Sequence, residues 1–221
     1  LGVLLIMLLH YMLFGTRDHR KDLIPDALRF RLHERIGHLI LMVTVTFLAV
    51  TGFCFLLGKQ DPLGSLARYV HTILGYTATV GYVIIFVAWT RDMILNKRDW
   101  AWLKGFGGYL GGRGHLPAGK FNAGQKILFW LTILLGVVLV YTGIVMGLNR
   151  QAHFAGQEWF YTLHDTAALL MILVLMGHIY LAVFVVPHSL KSLFGGLVST
   201  LWASEHHPDW KPAETKTADS H

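Results

Sequence analysis

Residues 164–178 read HDTAALLMILVLMGH, an apolar stretch with a histidine at each end. The fourteen-residue spacing is close to four turns of an α-helix, so His164 and His178 would leave one helix face roughly 21 Å apart along the axis. Ionisable side chains are costly inside a membrane and usually serve a function there. The stretch therefore predicts a membrane helix that holds two imidazoles at two depths.

The composition is that of a membrane protein. Hydrophobic residues make up 54% of the 221-residue chain and charged residues only 14%, a balance too apolar for an ordinary soluble domain. Four runs are long and apolar enough to span a bilayer: 39–57, 69–89, 127–148 and 159–186. The predicted fold is an all-α transmembrane bundle of four core helices.

Two further segments flank these spans. Residues 1–14 are apolar but short for a span, and we interpret them as part of an extra N-terminal helix, with a signal-peptide remnant as the alternative. After Pro187, apolar residues recur at helical spacing and predict an amphipathic helix on the membrane surface. The predicted organisation is an N-terminal helix in residues 1–16, a four-helix domain in 17–186, and a surface helix with a disordered tail in 187–221.

The basic residues are distributed unevenly between the two sides of the predicted membrane. Of the 19 Lys and Arg residues, 16 precede the first span, lie between the second and third spans, or follow the fourth. Because basic loops are retained in the cytoplasm, we expect a multi-pass protein with a cytoplasmic C-terminus. This asymmetry explains the net charge of +6, and we expect no nucleic-acid partner.

Two more histidines match the depths of the first pair. His38 begins span one on the cytoplasmic side, level with His178, and His71 begins span two on the outer side, level with His164. Each pair has the side chains that ligate a haem iron from two sides, and the two irons would lie roughly 20 Å apart. A proton or metal-ion path is the other use of membrane histidines, but Asp165 is the only acidic residue within the four spans.

Other residues give weaker signals. The single cysteine excludes a disulfide within the chain, and the sequence lacks the CxxCH motif of covalent haem attachment. Thr-Gly recurs late in spans one and three, at 51–52 and 142–143, where small residues admit either a neighbouring helix or a flat macrocycle. His10 is a lesser ligand candidate, and we expect His207 to lie on the surface of the tail.

Five segments resemble the gamma subunit of respiratory formate dehydrogenase, a dihaem membrane cytochrome b. They are ERIGHL (34–39), RYVHTILGY (68–76), GKFNAGQKILFW (119–130), HDTAALLMILVLMGHIY (164–180) and WASEHHPDW (202–210). The resemblance implies two b haems. One would be held by His38 and His178 on the cytoplasmic side, and the other by His71 and His164 on the periplasmic side.

The resemblance also implies a quinone site beside the cytoplasmic-side haem, bordered by Asn122, Gly124 and Gln125. Amide side chains and backbone N–H groups at a helix N-terminus can bond the two carbonyl oxygens of menaquinone or ubiquinone. Asn122 is also a favoured helix N-cap. Both interpretations of the FNAGQK motif can hold together.

The function implied by the resemblance is electron transfer. The chain would carry electrons from an iron–sulfur partner on the periplasmic side to quinone near the cytoplasmic side of a bacterial inner membrane. A catalytic molybdenum or tungsten subunit would hold the formate site, so whether this chain is itself an enzyme stays open. Two alternatives remain: a quinol-oxidising module that feeds a thiosulfate-type reductase or a multihaem cytochrome, and a haem-free membrane anchor.

Overall fold

The computed structural model describes residues 2–15, 24–56, 65–110, 116–149, 156–186 and 189–212. The helices in these ranges are α1 (Gly2–Phe14), α2 (Leu32–Leu56), α3 (Ser65–Trp89), α4 (Lys97–Lys104), α5 (Ala123–Leu148), α6 (Gln157–Tyr180), α7 (Ser189–Gly195) and α8 (Thr200–His206). Strands β1 (Ala27–Leu28) and β2 (Leu197–Val198) pair antiparallel. The all-α class predicted from the sequence is confirmed.

Four of the described helices are long and apolar enough to cross a membrane: α2, α3, α5 and α6, the last continued by a π-helical turn at Leu181–Val185. A span needs about 20 residues, and each of these has at least 24. Large apolar side chains such as Val87 and Leu134 are exposed on their outer surfaces, as surfaces that face lipid tails require. The four predicted spans are therefore confirmed as membrane-length helices.

The chain divides into two compact units. Unit 1 comprises Leu1–Arg35, Trp89–Phe129 and Met176–His221, and unit 2 comprises Ile36–Ala88 and Trp130–Leu175. Each of the four long helices contributes residues to both units.

Unit 2 is built on close approach between helices. A Cβ placed on Gly37 of α2 would come within 2.7 Å of Ile84 Cγ2 on α3, and one placed on Gly136 of α5 would come within 3.0 Å of the Tyr82 ring. Small residues at such points let membrane helices pack directly against one another. One buried apolar cluster of unit 2 consists of Leu135, Ala167 and Met171.

Unit 1 packs its connecting segments around Trp202 and Trp102, which belong to separate buried clusters. Trp202 of α8 is fully buried and clusters with Ala27 and Val198 of the two strands. Trp102 of α4 packs against Ala118 and Ala123, which flank the start of α5. The two strands and α8 therefore form a small core that is separate from the core around α4.

The segment after the last span is helical, as predicted, but it forms two short helices. Gly196 has φ +80°, a conformation that glycine adopts without strain, and this ends α7. The chain then pairs as β2 with β1, and the Gly196 carbonyl accepts hydrogen bonds from the backbone N–H groups of Arg29 and Phe30. The two helices are thus fastened to the chain that precedes α2, and residues 213–221 of the predicted disordered tail lie outside the described residues.

The helix α1 covers most of the predicted N-terminal helix. Its 13 residues rise about 20 Å, and its apolar side chains, such as Ile6 and Met12, are largely exposed. Its polar contacts are made by His10, and they are described with the functional site.

A buried ion pair joins α4 to the first turn of α5. Lys126 Nζ lies 2.9 Å from Asp99 Oδ2 and 3.1 Å from the Ile94 carbonyl oxygen. Asp99 also accepts a hydrogen bond from the Asn96 backbone N–H, which closes the capping box of α4. Both charged side chains are about 6% exposed, so the carboxylate depends on these donors in place of water.

We predict that Lys126→Met lowers the free energy of unfolding by about 3 kcal/mol, because it leaves the Asp99 carboxylate buried without its cation. The matched control is Arg98→Met, whose partner Asp209 lies 3.3 Å away in an exposed pair; this change should cost less than about 1 kcal/mol. Thermal unfolding of the detergent-solubilised chain compares the two. Equal losses would contradict the prediction.

Candidate functional site

Two histidines of unit 2 face each other from neighbouring helices. The rings of His71 on α3 and His164 on α6 have centroids 6.5 Å apart and planes inclined at 58°. Two imidazoles that bind one metal ion from opposite sides have ring centres roughly 6 Å apart, since each metal–nitrogen bond is about 2 Å. The separation suits a pair of axial ligands on one iron.

Each of these histidines is anchored by a threonine on the preceding helix. Thr51 Oγ1 lies 2.7 Å from His71 Nδ1, and Thr142 Oγ1 lies 2.8 Å from His164 Nδ1. A metal-binding imidazole uses one nitrogen for the metal and the other for a hydrogen bond. With Nδ1 engaged, Nε2 is the nitrogen that each ring can offer to a metal.

A glycine follows each threonine and lies beside the same histidine ring. A Cβ placed on Gly52 would lie 3.5 Å from His71 Cε1, and one placed on Gly143 would lie 3.5 Å from His164 Cε1. Cε1 lies between the two ring nitrogens, so the absence of a side chain at each glycine leaves space beside the ring. The residues present therefore fit a flat macrocycle between the two histidines, which was one of the two interpretations of the Thr-Gly repeat.

The other two predicted ligands are both half-buried. His38 lies on α2 within unit 2, and His178 lies on α6 within unit 1. Their joint ligation of a second iron stays a prediction.

The FNAGQK motif caps the N-terminus of α5. The Gln125 backbone N–H donates to Asn122 Oδ1 at 2.9 Å, and the Asn122 backbone N–H donates to Gln125 Oε1 at 3.0 Å. This reciprocal pair is a capping box, so the predicted N-cap role of Asn122 is present in the structure. The side-chain oxygens of Asn122 and Gln125 accept these two capping hydrogen bonds, whereas their NH₂ groups take no part in the capping box.

Aromatic side chains surround the same motif. A Cβ placed on Gly124 would come within 2.7 Å of Trp102 Cη2, so this position needs glycine for packing. Asn122 hydrogen-bonds the Tyr109 hydroxyl, whose pKa is raised by burial and lowered to a smaller extent by that bond. The motif is therefore held between two aromatic rings of unit 1.

Charged residues fasten the motif to the start of α2. Glu34 in the first turn of α2 accepts hydrogen bonds from Trp89 Nε1 at 2.6 Å and from Lys120 Nζ at 2.7 Å. Asp92, which is half exposed, lies 3.8 Å from the same Lys120 nitrogen. A polar cavity of about 190 Å³ opens beside these groups and is lined by Asp92, Asp99, Lys120, Phe121 and Lys126.

The tail contributes a buried histidine, which corrects the expectation that His207 lies on the surface. His207 is 2% exposed; its Nδ1 donates to the Gly119 carbonyl oxygen at 2.7 Å, and its Nε2 accepts from Arg29 Nη2 at 3.0 Å. Burial lowers the pKa of Arg29 to about 9. Burial and the positive charge of Arg29 hold the pKa of His207 well below its usual value. The tail thus fixes the loop that leads into the FNAGQK motif.

The structure also gives His10 a role other than metal ligation. His10 Nδ1 lies 2.6 Å from the Tyr180 hydroxyl, and its Nε2 lies 2.9 Å from the Tyr109 carbonyl oxygen. Because a carbonyl only accepts, Nε2 carries the proton and Nδ1 accepts from the tyrosine. Both ring nitrogens are used, and α1 is thereby attached to the end of α6 within unit 1.

Sequence reasoning missed three kinds of contact. The small residues of the Thr-Gly repeat are visible in the sequence, but nothing local pairs the hydroxyl groups of Thr51 and Thr142 with the histidines. Glu34, one turn before His38, was not singled out, although an acidic residue in the first turn of an apolar helix is a visible signal. The contact between Arg29 and His207 joins residues 178 positions apart, and no local pattern predicts it.

These features define a multi-pass helical membrane protein with a half-buried imidazole pair. The chain belongs to the prokaryotic cytochrome b561 family, whose profile matches residues 29–196. Membership of a cytochrome b family implies haem b as the bound group.

Three curated relatives extend the similarity over most of the chain. The chain is 29% identical to the formate dehydrogenase cytochrome b556(fdo) subunit of Escherichia coli (strain K12), over 90% of this chain and 97% of that protein. It is 31% identical to the formate dehydrogenase cytochrome b556 subunit of Haemophilus influenzae, over 83% of this chain and 81% of that protein. It is also 31% identical to the nitrate-inducible cytochrome b556(Fdn) subunit of Escherichia coli (strain K12) formate dehydrogenase, over 82% of this chain and 88% of that protein.

The low pKa of His207 predicts a pH-dependent contribution to stability. Below pH of about 6.5 the unfolded chain protonates this imidazole while the folded chain does not, so the contribution of His207 is present above that pH and falls as pH decreases. The stability difference between the wild type and His207→Gln should therefore be larger at pH 7.5 than at pH 5.5. Thermal unfolding at the two pH values measures it, with His206→Gln as the control. A difference independent of pH would contradict the prediction.

Proposed function

We propose that this chain is the membrane cytochrome b subunit of a formate dehydrogenase-like respiratory complex in a bacterial inner membrane. It carries electrons from an iron–sulfur partner on the periplasmic side to quinone near the cytoplasmic side, with two b haems as carriers. The observation that carries the proposal is the facing pair His71 and His164, whose rings lie 6.5 Å apart in a cytochrome b561-family chain.

The names of the relatives support the choice of partner. The three proteins described above are cytochrome subunits of formate dehydrogenases. We therefore propose an iron–sulfur subunit and a catalytic molybdenum or tungsten subunit as partners. The excess of basic residues in alternate loops supports a cytoplasmic C-terminus.

His71 and His164 would hold one haem b, with Nε2 as the available nitrogen because a threonine engages Nδ1 of each ring. Haem b, when bound, supplies a one-electron carrier whose potential depends on its axial ligands and the local dielectric. His38 and His178 would hold the second haem. That assignment rests on their matching depths along the spans and on the segments that resemble the formate dehydrogenase gamma subunit.

Asn122 and Gln125 bind the quinone, with Gly124 between them on the first turn of α5. Their amide oxygens are committed to the capping box, and Asn122 also bonds the Tyr109 hydroxyl, but each NH₂ group has two hydrogens and keeps at least one for the carbonyl oxygens of menaquinone or ubiquinone. Reduction of a quinone to its quinol takes two electrons and two protons. The charged residues that line the polar cavity beside the motif offer a hydrated approach for those protons.

Histidine variants test whether the four ligands form two pairs. We predict that each of His71→Ala, His164→Ala, His38→Ala and His178→Ala removes one haem, because one axial ligand of one iron is lost. A double variant within a pair should still keep one haem, whereas His71→Ala with His178→Ala should keep none. A pyridine haemochrome count per purified chain measures this.

The control for these variants is His33→Ala, an exposed position on α2, which should keep both haems. A double variant of His71 and His164 that loses both haems while each single variant loses one would contradict the pairing.

Amide-to-acid variants separate quinone binding from capping. Asn122→Asp and Gln125→Glu keep a side-chain oxygen for the capping box but remove the NH₂ donor. We predict that each lowers quinone reduction roughly tenfold, the cost of one lost hydrogen bond, while the haem count stays unchanged. Stopped-flow reoxidation of the reduced cytochrome by a soluble quinone analogue measures the rate.

The matched control is Asn96→Asp, the same substitution at the cap of α4, which should leave the quinone rate unchanged. Wild-type rates in both motif variants would refute quinone contact at the FNAGQK motif and leave capping as its role.

A further inference from the structure

The anchoring of the two facing histidines is repeated with nearly the same geometry in two helix pairs. On α2 and α3, Thr51 Oγ1 lies 2.7 Å from His71 Nδ1, and on α5 and α6, Thr142 Oγ1 lies 2.8 Å from His164 Nδ1. We propose that Thr51 and Thr142 are positioning residues that set the tautomer, ring orientation and donor strength of the two axial imidazoles. This inference rests on the proposed function, in which the two rings bind one haem iron.

The direction of each hydrogen bond follows from the rest of the threonine environment. The Thr51 hydroxyl lies 2.8 Å from the Phe47 carbonyl oxygen, and the Thr142 hydroxyl lies 2.7 Å from the Val138 carbonyl oxygen. A hydroxyl has one hydrogen, and a carbonyl can only accept it. Each threonine oxygen must therefore accept from its histidine, which places the proton on Nδ1 and leaves the Nε2 lone pair for iron.

The same contacts fix the ring planes. A ring held at Nδ1 by a β-branched side chain on a neighbouring helix cannot rotate freely about its Cβ–Cγ bond. The planes of His71 and His164 are inclined at 58°, and Gly52 and Gly143 flank the Cε1 edges of the same rings. Each Thr-Gly dipeptide thus combines a hydrogen-bond acceptor with the space that a macrocycle needs.

The two threonines differ in burial. Thr142 has no exposed surface, whereas Thr51 is half-buried. An N–H without an acceptor is costlier where no water can take the place of the lost hydroxyl, and the enclosed Thr142 leaves less room for such a water than the half-buried Thr51. Removal of the Thr142 hydroxyl should therefore disturb its histidine more than removal of the Thr51 hydroxyl.

A hydrogen bond from Nδ1–H increases the basicity of the imidazole toward the metal. A more basic ligand stabilises the ferric state relative to the ferrous state, so loss of the acceptor should raise the reduction potential of this haem. The g values of a low-spin ferric haem depend on the angle between the planes of its two imidazole ligands. Loss of the threonine hydroxyl should therefore change the electron paramagnetic resonance spectrum.

The test compares Thr51→Val and Thr142→Val with Thr51→Ser and Thr142→Ser in the haem-loaded full chain. Valine preserves the shape of threonine without its hydroxyl, and serine preserves the hydroxyl without the methyl group. We expect the valine variants to raise the midpoint potential of one haem and shift its highest g value, more in Thr142→Val than in Thr51→Val. The serine variants should retain the wild-type values.

The matched control is Thr44→Val on α2. Thr44 is buried, and its hydroxyl lies 2.7 Å from the Ile40 carbonyl oxygen, so this variant reproduces the loss of a buried, helix-bonded hydroxyl. We expect unchanged potentials and g values for both haems.

The outcomes separate the positioning role from the proposed function. Unchanged potentials and g values in both valine variants, with haem retained, would overturn the positioning role and leave the haem assignment intact. Loss of one haem in Thr142→Val but not in Thr142→Ser or Thr44→Val would support the positioning role. Loss of one haem in Thr142→Ser as well would overturn the positioning role. A wild-type chain that binds no haem would overturn the proposed function and this inference together.

Discussion

The structure depends on one constraint: polar groups among membrane-spanning helices must find partners within the protein, because lipid tails offer none. His71 and His164 meet it through Thr51 and Thr142, whose hydroxyls are in turn bonded to helix carbonyls. The threonine that bonds Nδ1 of each ring leaves Nε2 as the ring nitrogen that is not used in this contact. In the proposed function, the contact that satisfies each imidazole also prepares it as a ligand.

Unit 1 meets the same constraint with charges. The Glu34 carboxylate is satisfied by Trp89 and Lys120, and the Asp99 carboxylate by Lys126 and the backbone of Asn96. These bonds hold the first turn of α2, the short helix α4 and the N-terminus of α5 in defined positions within the unit. The FNAGQK motif is therefore surrounded by hydrogen-bonded residues, which supports the proposal that it recognises a small polar headgroup.

Much of this could be predicted from the sequence, because the deciding signals are local. Long apolar runs set the four spans, and residue type alone indicates Asn122 as the cap of α5. The tail could be predicted only in part. The helical spacing of its apolar residues is visible in the sequence, but the turn at Gly196 and the pairing of β2 with β1 depend on a segment about 170 residues earlier in the chain. His207 looked solvated because its neighbours are polar, and its burial depends on Arg29 and Gly119, which lie 178 and 88 positions away.

The central claim is that the facing imidazoles hold haem in a membrane electron carrier, and a haem count on the purified wild-type chain tests it most directly. The measurement combines a reduced-minus-oxidised optical spectrum with a pyridine haemochrome assay. The account predicts b-type bands and two haems per chain. A chain without haem would contradict the electron-transfer function and leave the haem-free anchor, while a single haem would contradict the assignment of His38 and His178.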